Sequence, residues 1–177
     1  MNNITTDSNN LSEHIKTLEK YLSLMGIDSI SVNLEIKNFN TDKDTVEINF
    51  ENSEGFIAGS SPIALLNGIY RFLEKCGCRF LRPGKLGEII PKNIKIPKIN
   101  IKEEADFRHR GICIEGAVSK ENVLDVIDWE AKNSMNTYFT QFRQSHTFFD
   151  RWYSHIYNPT ETPNPITVEE ADCILKD

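Results

Sequence analysis

The chain has 177 residues, enough for one compact domain or a small domain plus part of another. Apolar residues make up 39%, charged residues 26%, and the net charge is −6, a composition that gives no basic excess for a nucleic-acid backbone or an anionic membrane. The polar start "MNNITTDSNN" lacks a basic-then-apolar leader, and no apolar run approaches the roughly 20 residues that span a bilayer. The expectation is a cytoplasmic protein as the sequence stands, or a secreted one from which an export signal has been removed.

The first element is an amphipathic helix, with Leu11, Ile15, Leu18, Leu22 and Met25 at helical spacing and Gly26 as its stop. Two strands follow. Ile30, Val32, Leu34 and Ile36 alternate with polar residues, as do Val46, Ile48 and Phe50, and "KNFNTDKD" between them is a turn. "GFIAG" is a short strand leading to Ser60 or Ser61 as N-cap, Pro62 at the first helical position, and an apolar helix running to about Cys76 and ended by Gly77. "CRFLRPG" reads as a strand stopped by Pro83 and Gly84, and "EIIPKNIKIPKINIKEEA" as an edge ribbon or linker.

From Ile101 to Asp106 the grammar changes, which places a boundary there and divides the chain into residues 1–103 and 104–177. "RHRGICIE" is a strand, "SKENVLDVIDWEAKNSM" a helix with Ser119 as N-cap, and "NTYFTQF" a second strand, the spacing of a βα unit in a parallel sheet or barrel. The aromatic, turn-rich "RQSHTFFDRWYSHIYNPTETPNP" and a last short helix, "TVEEADCILKD" with Thr167 as N-cap, complete the chain. The spacing of Cys76, Cys78, Cys113 and Cys173 fits neither a zinc site nor a disulfide framework, so free thiols are expected, with Cys113 a small buried hydrophobe. No nucleotide-binding, zinc-protease or serine-hydrolase motif occurs, and His146 and His155 are not spaced as a metal pair; no cofactor or metal is expected.

A small α/β domain containing "GSSPIALLNGIYRFLEKCGCRFLRPG", then the strand "FRHRGICIE", a helix and "MNTYFTQF", resembles the start of a β-N-acetylhexosaminidase-like glycoside hydrolase, with the related α-glucuronidases sharing the plan. The resemblance covers roughly residues 45 to 142. It implies an α/β fold, a hexosaminidase-type accessory domain followed by the first βα units of an incomplete TIM barrel, since a closed barrel needs roughly 200 or more residues. It also implies that the first barrel strand begins at Arg110-Gly111 and ends at Glu115 near a sugar site. Gln141 stands where the family usually has histidine.

Glu115, at the exit end of the first strand, either belongs to a rim for a polyhydroxylated ligand or caps or pairs in the following "GAVSK" turn, and Gln141 and Arg143, at the end of the second strand, share these alternatives. Arg110 either joins them, forking to sugar hydroxyls, or forms an ion pair with Glu103, Glu104 or Asp106. The family's acidic catalytic pair sits on a later strand, so no catalytic residue is assigned in this chain. The implied function is the N-terminal portion of a glycoside hydrolase whose partners are a carbohydrate and the remainder of the barrel in a longer parent, with neither nucleic acid nor membrane. The alternative is a non-catalytic carbohydrate-binding or structural module.

Overall fold

The structure is a computed structural model that describes residues 2–6, 10–114 and 120–140. Its described elements are β1 (Asn3–Thr6), α1 (Ser12–Met25), β2 (Ser31–Ile36), β3 (Thr45–Glu51), β4 (Glu54–Gly59), α2 (Pro62–Lys75), β5 (Arg79–Phe80), β6 (Glu88–Ile89), β7 (Ile99–Glu104), β8 (Gly111–Ile114), α3 (Lys120–Lys132) and β9 (Thr137–Thr140). The fold is mixed α/β: a five-stranded mixed sheet ordered β1-β2-β4-β3-β7, a two-stranded β5/β6 ribbon and a two-stranded β8/β9 sheet.

Local chemistry sets the main elements. Gly26 closes α1 in the left-handed region at φ 71°, a conformation cheap only without a side chain. Ser61 caps α2, its side chain accepting from Ala64 N at 3.1 Å, with Pro62 next as expected. β3 and β4 are joined by Asn52 and Ser53, both at positive φ, the two-residue turn that matches the twist of a hairpin.

Alternation along β2, β3 and β4 buries Val32, Leu34, Ile48, Phe50 and Ile57 in one cluster with Leu18, Tyr21 and Leu22 of α1 and Leu65, Ile69 and Phe72 of α2. Ile36, expected on this apolar face, is exposed at the end of β2. The outer face carries Asn33, Glu35, Glu47 and Asn49, half-buried or exposed, the polar side of a sheet whose apolar side faces the core.

The polar N-terminus supplies β1, which lies parallel to β2 from Asn3↔Ser31 to Thr6↔Leu34. Its sequence gives no apolar alternation; side-chain amides hold it instead, Asn2 Nδ2 donating to Ile27 O at 2.9 Å and Asn2 Oδ1 accepting from Ile30 N at 3.2 Å. The stretch read as an edge ribbon forms both β6 and β7. β7 is the sheet's far edge, antiparallel to β3 as far as Thr45↔Glu104.

β8 and β9 are parallel, registered from Gly111↔Thr137 to Ile114↔Thr140, with α3 as their crossover. Gly111 is required here, because a Cβ would lie 1.6 Å from Thr137 O. Cys113 is exposed on β8 and corrects the buried reading: the apolar run around it belongs to a sheet of only two described strands. Cys76 and Cys78 are free and buried, and burial pushes their thiols up to about 12 and about 11, which keeps them protonated and unreactive at neutral pH.

Candidate functional site

The arginine-rich approach to β8 resolves into two exposed residues, Arg108 and His109, and one half-buried residue, Arg110. The Arg110 side chain is 19% exposed and its partner Asp44, at the end of the "NTDKD" turn, is 15% exposed. Nη2 donates to Asp44 Oδ2 at 2.7 Å, Nε to Ser134 O at 2.8 Å and Nη1 to Phe107 O at 2.8 Å. Three of the five guanidinium donors are thus taken by the protein.

Asn136 completes the knot. Its Nδ2 donates to Asp44 Oδ2 at 2.7 Å and to Arg108 O at 2.9 Å, while its Oδ1 accepts from Arg110 N at 2.9 Å and Thr137 Oγ1 at 2.9 Å. Asp44 is also tied to the sheet, its O accepting from Ala105 N at 2.9 Å. One carboxylate therefore joins the five-stranded sheet to the entry of both β8 and β9. A cleft of about 390 Å³ lies beside it, lined by residues that include Asp44, Asn67, Glu103, Asp106 and Arg110.

Arg110 has an ion-pair partner, but it is none of the three acids expected from sequence proximity. Glu103 instead takes a two-pronged contact from Arg71, at 3.0 and 2.8 Å. Arg110 also precedes β8, at the end where the strand enters, whereas the strand leaves at Ile114. Of the expected rim, Glu115, Gln141 and Arg143 lie outside the described residues, as do the aromatic segment with His146 and His155, the Ser119 cap and the Thr167 helix. Among the described residues no group of three or more His, Cys, Asp or Glu could hold a metal ion, and no helix is long and apolar enough to cross a membrane.

Further polar anchors join α3 to the first part of the chain. Lys132, its side chain 4% exposed, pairs with Glu88 Oε1 at 2.7 Å and with Asp128. Its ammonium lies 5.6 Å from the Phe80 ring centroid, 5.9 Å from Tyr70 and 6.0 Å from Tyr21. Burial works against that charge, but the Asp128 and Glu88 carboxylates outweigh it and hold the lysine above its ordinary range. Burial, then Glu88, raises the Tyr21 hydroxyl, which donates to Glu88 Oε1 at 3.1 Å. The second anchor is Trp129, whose Nε1 donates to Phe80 O at 2.8 Å.

Glu130 is a buried carboxyl whose Oε1 accepts from Ile112 N at 2.6 Å. Burial raises its pKa and the Ile112 hydrogen bond opposes the rise. Asn67, also buried, donates to Ala131 O at 3.0 Å and Met135 O at 3.2 Å, while its Oδ1 has no partner among the described residues.

None of Asp44, Asn67, Glu88, Glu130 or Lys132 stood out in the sequence. Their partners lie 17 to 92 positions away, except Asp128, and no short-range pattern links them. The one available signal was Asn136, which sits at the head of the second-strand phrase and serves as the bridge to Asp44.

No known family's sequence profile matches this chain, and no curated protein matches it. The solved structures it resembles include three of the family 89 glycoside hydrolase from Clostridium perfringens. One is in complex with its substrate GlcNAc-alpha-1,4-galactose (20% identity, TM-score 0.46), one with PUGNAc (18%, 0.48) and one with 2-acetamido-1,2-dideoxynojirmycin (18%, 0.45). Each match covers 73% of this chain and 16% of the other, so the chain spans about a sixth of the length of those enzymes.

Proposed function

We propose that this chain is the amino-terminal portion of a glycoside hydrolase, an α/β accessory domain carrying the first βα unit of a catalytic barrel. One observation supports this most directly: the parallel β8–α3–β9 unit is tied to the α/β domain where its strands enter, through Arg110, Asp44 and Asn136. Parallel βα enzymes build their sites where the strands leave, so anchoring the entry side keeps the other end available for ligand.

In this reading Glu115, Gln141 and Arg143 hydrogen-bond a carbohydrate. Arg110 acts as a positioning residue, setting the two strands through Asn136 and Asp44. The acid that protonates the leaving oxygen and the group that stabilises the cationic sugar come from later strands of a longer parent.

The test uses this chain and a longer polypeptide that contains it, assayed with chromogenic N-acetylglucosaminides of both anomeric configurations. The expected result is no turnover by the 177-residue chain, turnover by the longer polypeptide, and loss of that turnover in Glu115→Ala with the thermal midpoint unchanged. A longer polypeptide that neither cleaves nor binds any such glycoside contradicts the proposal. So does turnover by the short chain that a substitution within it abolishes.

A further inference from the structure

The overall charge of −6 conceals a local reversal. Residues 79–92, "RFLRPGKLGEIIPK", carry Arg79, Arg82, Lys85 and Lys92 against a single acid, Glu88. That acid is engaged internally by Lys132 and Tyr21. Lys20 joins from α1, its ammonium 5.0 Å from the Tyr21 ring centroid. Lys20, Lys85 and Lys92 line one cleft of about 500 Å³ with Leu24, Glu88 and Ile90. Among the described residues none of Arg82, Lys85 and Lys92 has an ion-pair partner, whereas Lys16, Lys37, Lys98 and Lys132 each have one.

The same stretch exposes apolar side chains. Leu86 is 88% exposed, Leu81 65% and Ile89 54%, and Leu24 in the cleft wall is 45% exposed. The backbone beneath them is fixed: Leu81 N donates to Gly87 O, Gly87 N to Gly84 O and Asn93 N to Met25 O, each at 2.9 Å. Cations without an ion-pair partner among the described residues therefore flank projecting aliphatic side chains on a held turn, which the Asp125 carboxylate of α3 approaches at Gly84, 2.9 Å from where a Cβ would stand.

We propose that this face docks on an anionic lipid surface. Leu86 and Leu81 enter the boundary between headgroups and acyl chains, and Lys20, Arg82, Lys85 and Lys92 meet the phosphate and carboxylate headgroups. Charge complementarity selects this occupant, and the exposed leucines distinguish it from a soluble polyanion, which would satisfy the cations but leave the apolar side chains in water. The chain's net charge of −6 opposes non-specific attraction to the same surface, so binding depends on this local cluster. The proposal does not depend on the carbohydrate reading.

The experiment is cosedimentation of the full chain with phosphatidylcholine vesicles, with and without phosphatidylserine, over a range of salt. Binding is expected only with phosphatidylserine and is expected to fall as salt rises. The pair Lys85→Gln and Lys92→Gln lowers it roughly tenfold or more. Leu86→Ser lowers vesicle binding while leaving retention on dextran sulfate unchanged, and Lys98→Gln, at a lysine paired with Glu51, changes neither. Equal sedimentation with both vesicle types overturns the proposal. Indifference to Leu86→Ser also overturns it, and points to a soluble polyanion or nucleic acid as the ligand.

Discussion

The five-stranded sheet with α1 and α2, and the β8–α3–β9 unit, place similar apolar residues on similar elements but enclose them differently. In the first region Leu18, Leu22, Leu34, Ile48, Ile57, Leu65, Ile69 and Phe72 have no exposed surface. In the second, Val123 and Val126 are buried while Leu124, Ile127 and Phe139 are 43–54% exposed. The first region is held by burial, which scales with apolar area and needs no exact geometry. The second is joined to the first by the Arg110–Asp44–Asn136 knot, the Lys132–Glu88 pair and the Trp129–Phe80 hydrogen bond, together with Trp129 and Ala131 packed against the core. A unit of two described strands and one helix has little interior of its own, so it takes its position from these contacts with the first region.

The comparison is most easily broken by removing a large core side chain. Phe72→Ala, which deletes a fully buried ring in edge-to-face contact with Phe50 at 5.2 Å, is expected to cost about 3–5 kcal/mol in urea unfolding. Leu124→Ala, on the exposed face of α3, is expected to stay within about 0.5 kcal/mol. Comparable losses at the two sites would show that α3 is enclosed as tightly as α2.

The anchors come next in size. Glu88→Gln leaves Lys132 buried among Tyr21, Tyr70 and Phe80 with only Asp128 to pair it, and about 3 kcal/mol of stability is expected to be lost. Replacing both members, Glu88→Gln with Lys132→Met, is expected to recover part of that loss, because the unpaired charge goes with the lysine. No recovery would place the cost in packing rather than charge.

Ser61→Ala removes the acceptor for Ala64 N and should lower stability by about 1 kcal/mol, measured as a shift in the urea midpoint.

Glu130 gives the smallest effect and one with a pH sign. Its folded pKa is raised, so its contribution to stability is complete below the ordinary carboxyl range and is lost as pH rises through the folded value. Glu130→Gln keeps an oxygen for Ile112 N and removes the buried charge. The variant should therefore melt above the parent at neutral pH, and the gain should vanish as pH is lowered past that range. A gain independent of pH would rule out the charge as its cause.

What could be read from the sequence was local. The Gly26 stop, the Ser61 cap with Pro62 and the alternation of β2 and β3 each depend on neighbours within a few positions, and each stands where it was expected apart from Ile36 at the end of β2. The parallel strand–helix–strand order after residue 110 was equally legible. β1 was not, because its strand is held by Asn2 amides and by pairing with residues 28 positions on. Nor was the role of Arg110: the acids expected to pair with it were Glu103, Glu104 and Asp106, but the fold brings up Asp44 from 66 positions away. Cys113 was misplaced because an apolar run reports burial only when other strands cover it. The cationic face of residues 79–92 was hidden by averaging charge over the whole chain.

The central claim is that the β8–α3–β9 unit takes its position from Asp44 rather than from a core of its own. Native-state hydrogen exchange of the full chain, comparing the parent with Asp44→Ala, tests it. The account predicts faster exchange across residues 111–114 and 120–140 with protection in β2, β3, β4 and α2 unchanged. Equal acceleration in both regions, or none in either, would contradict it.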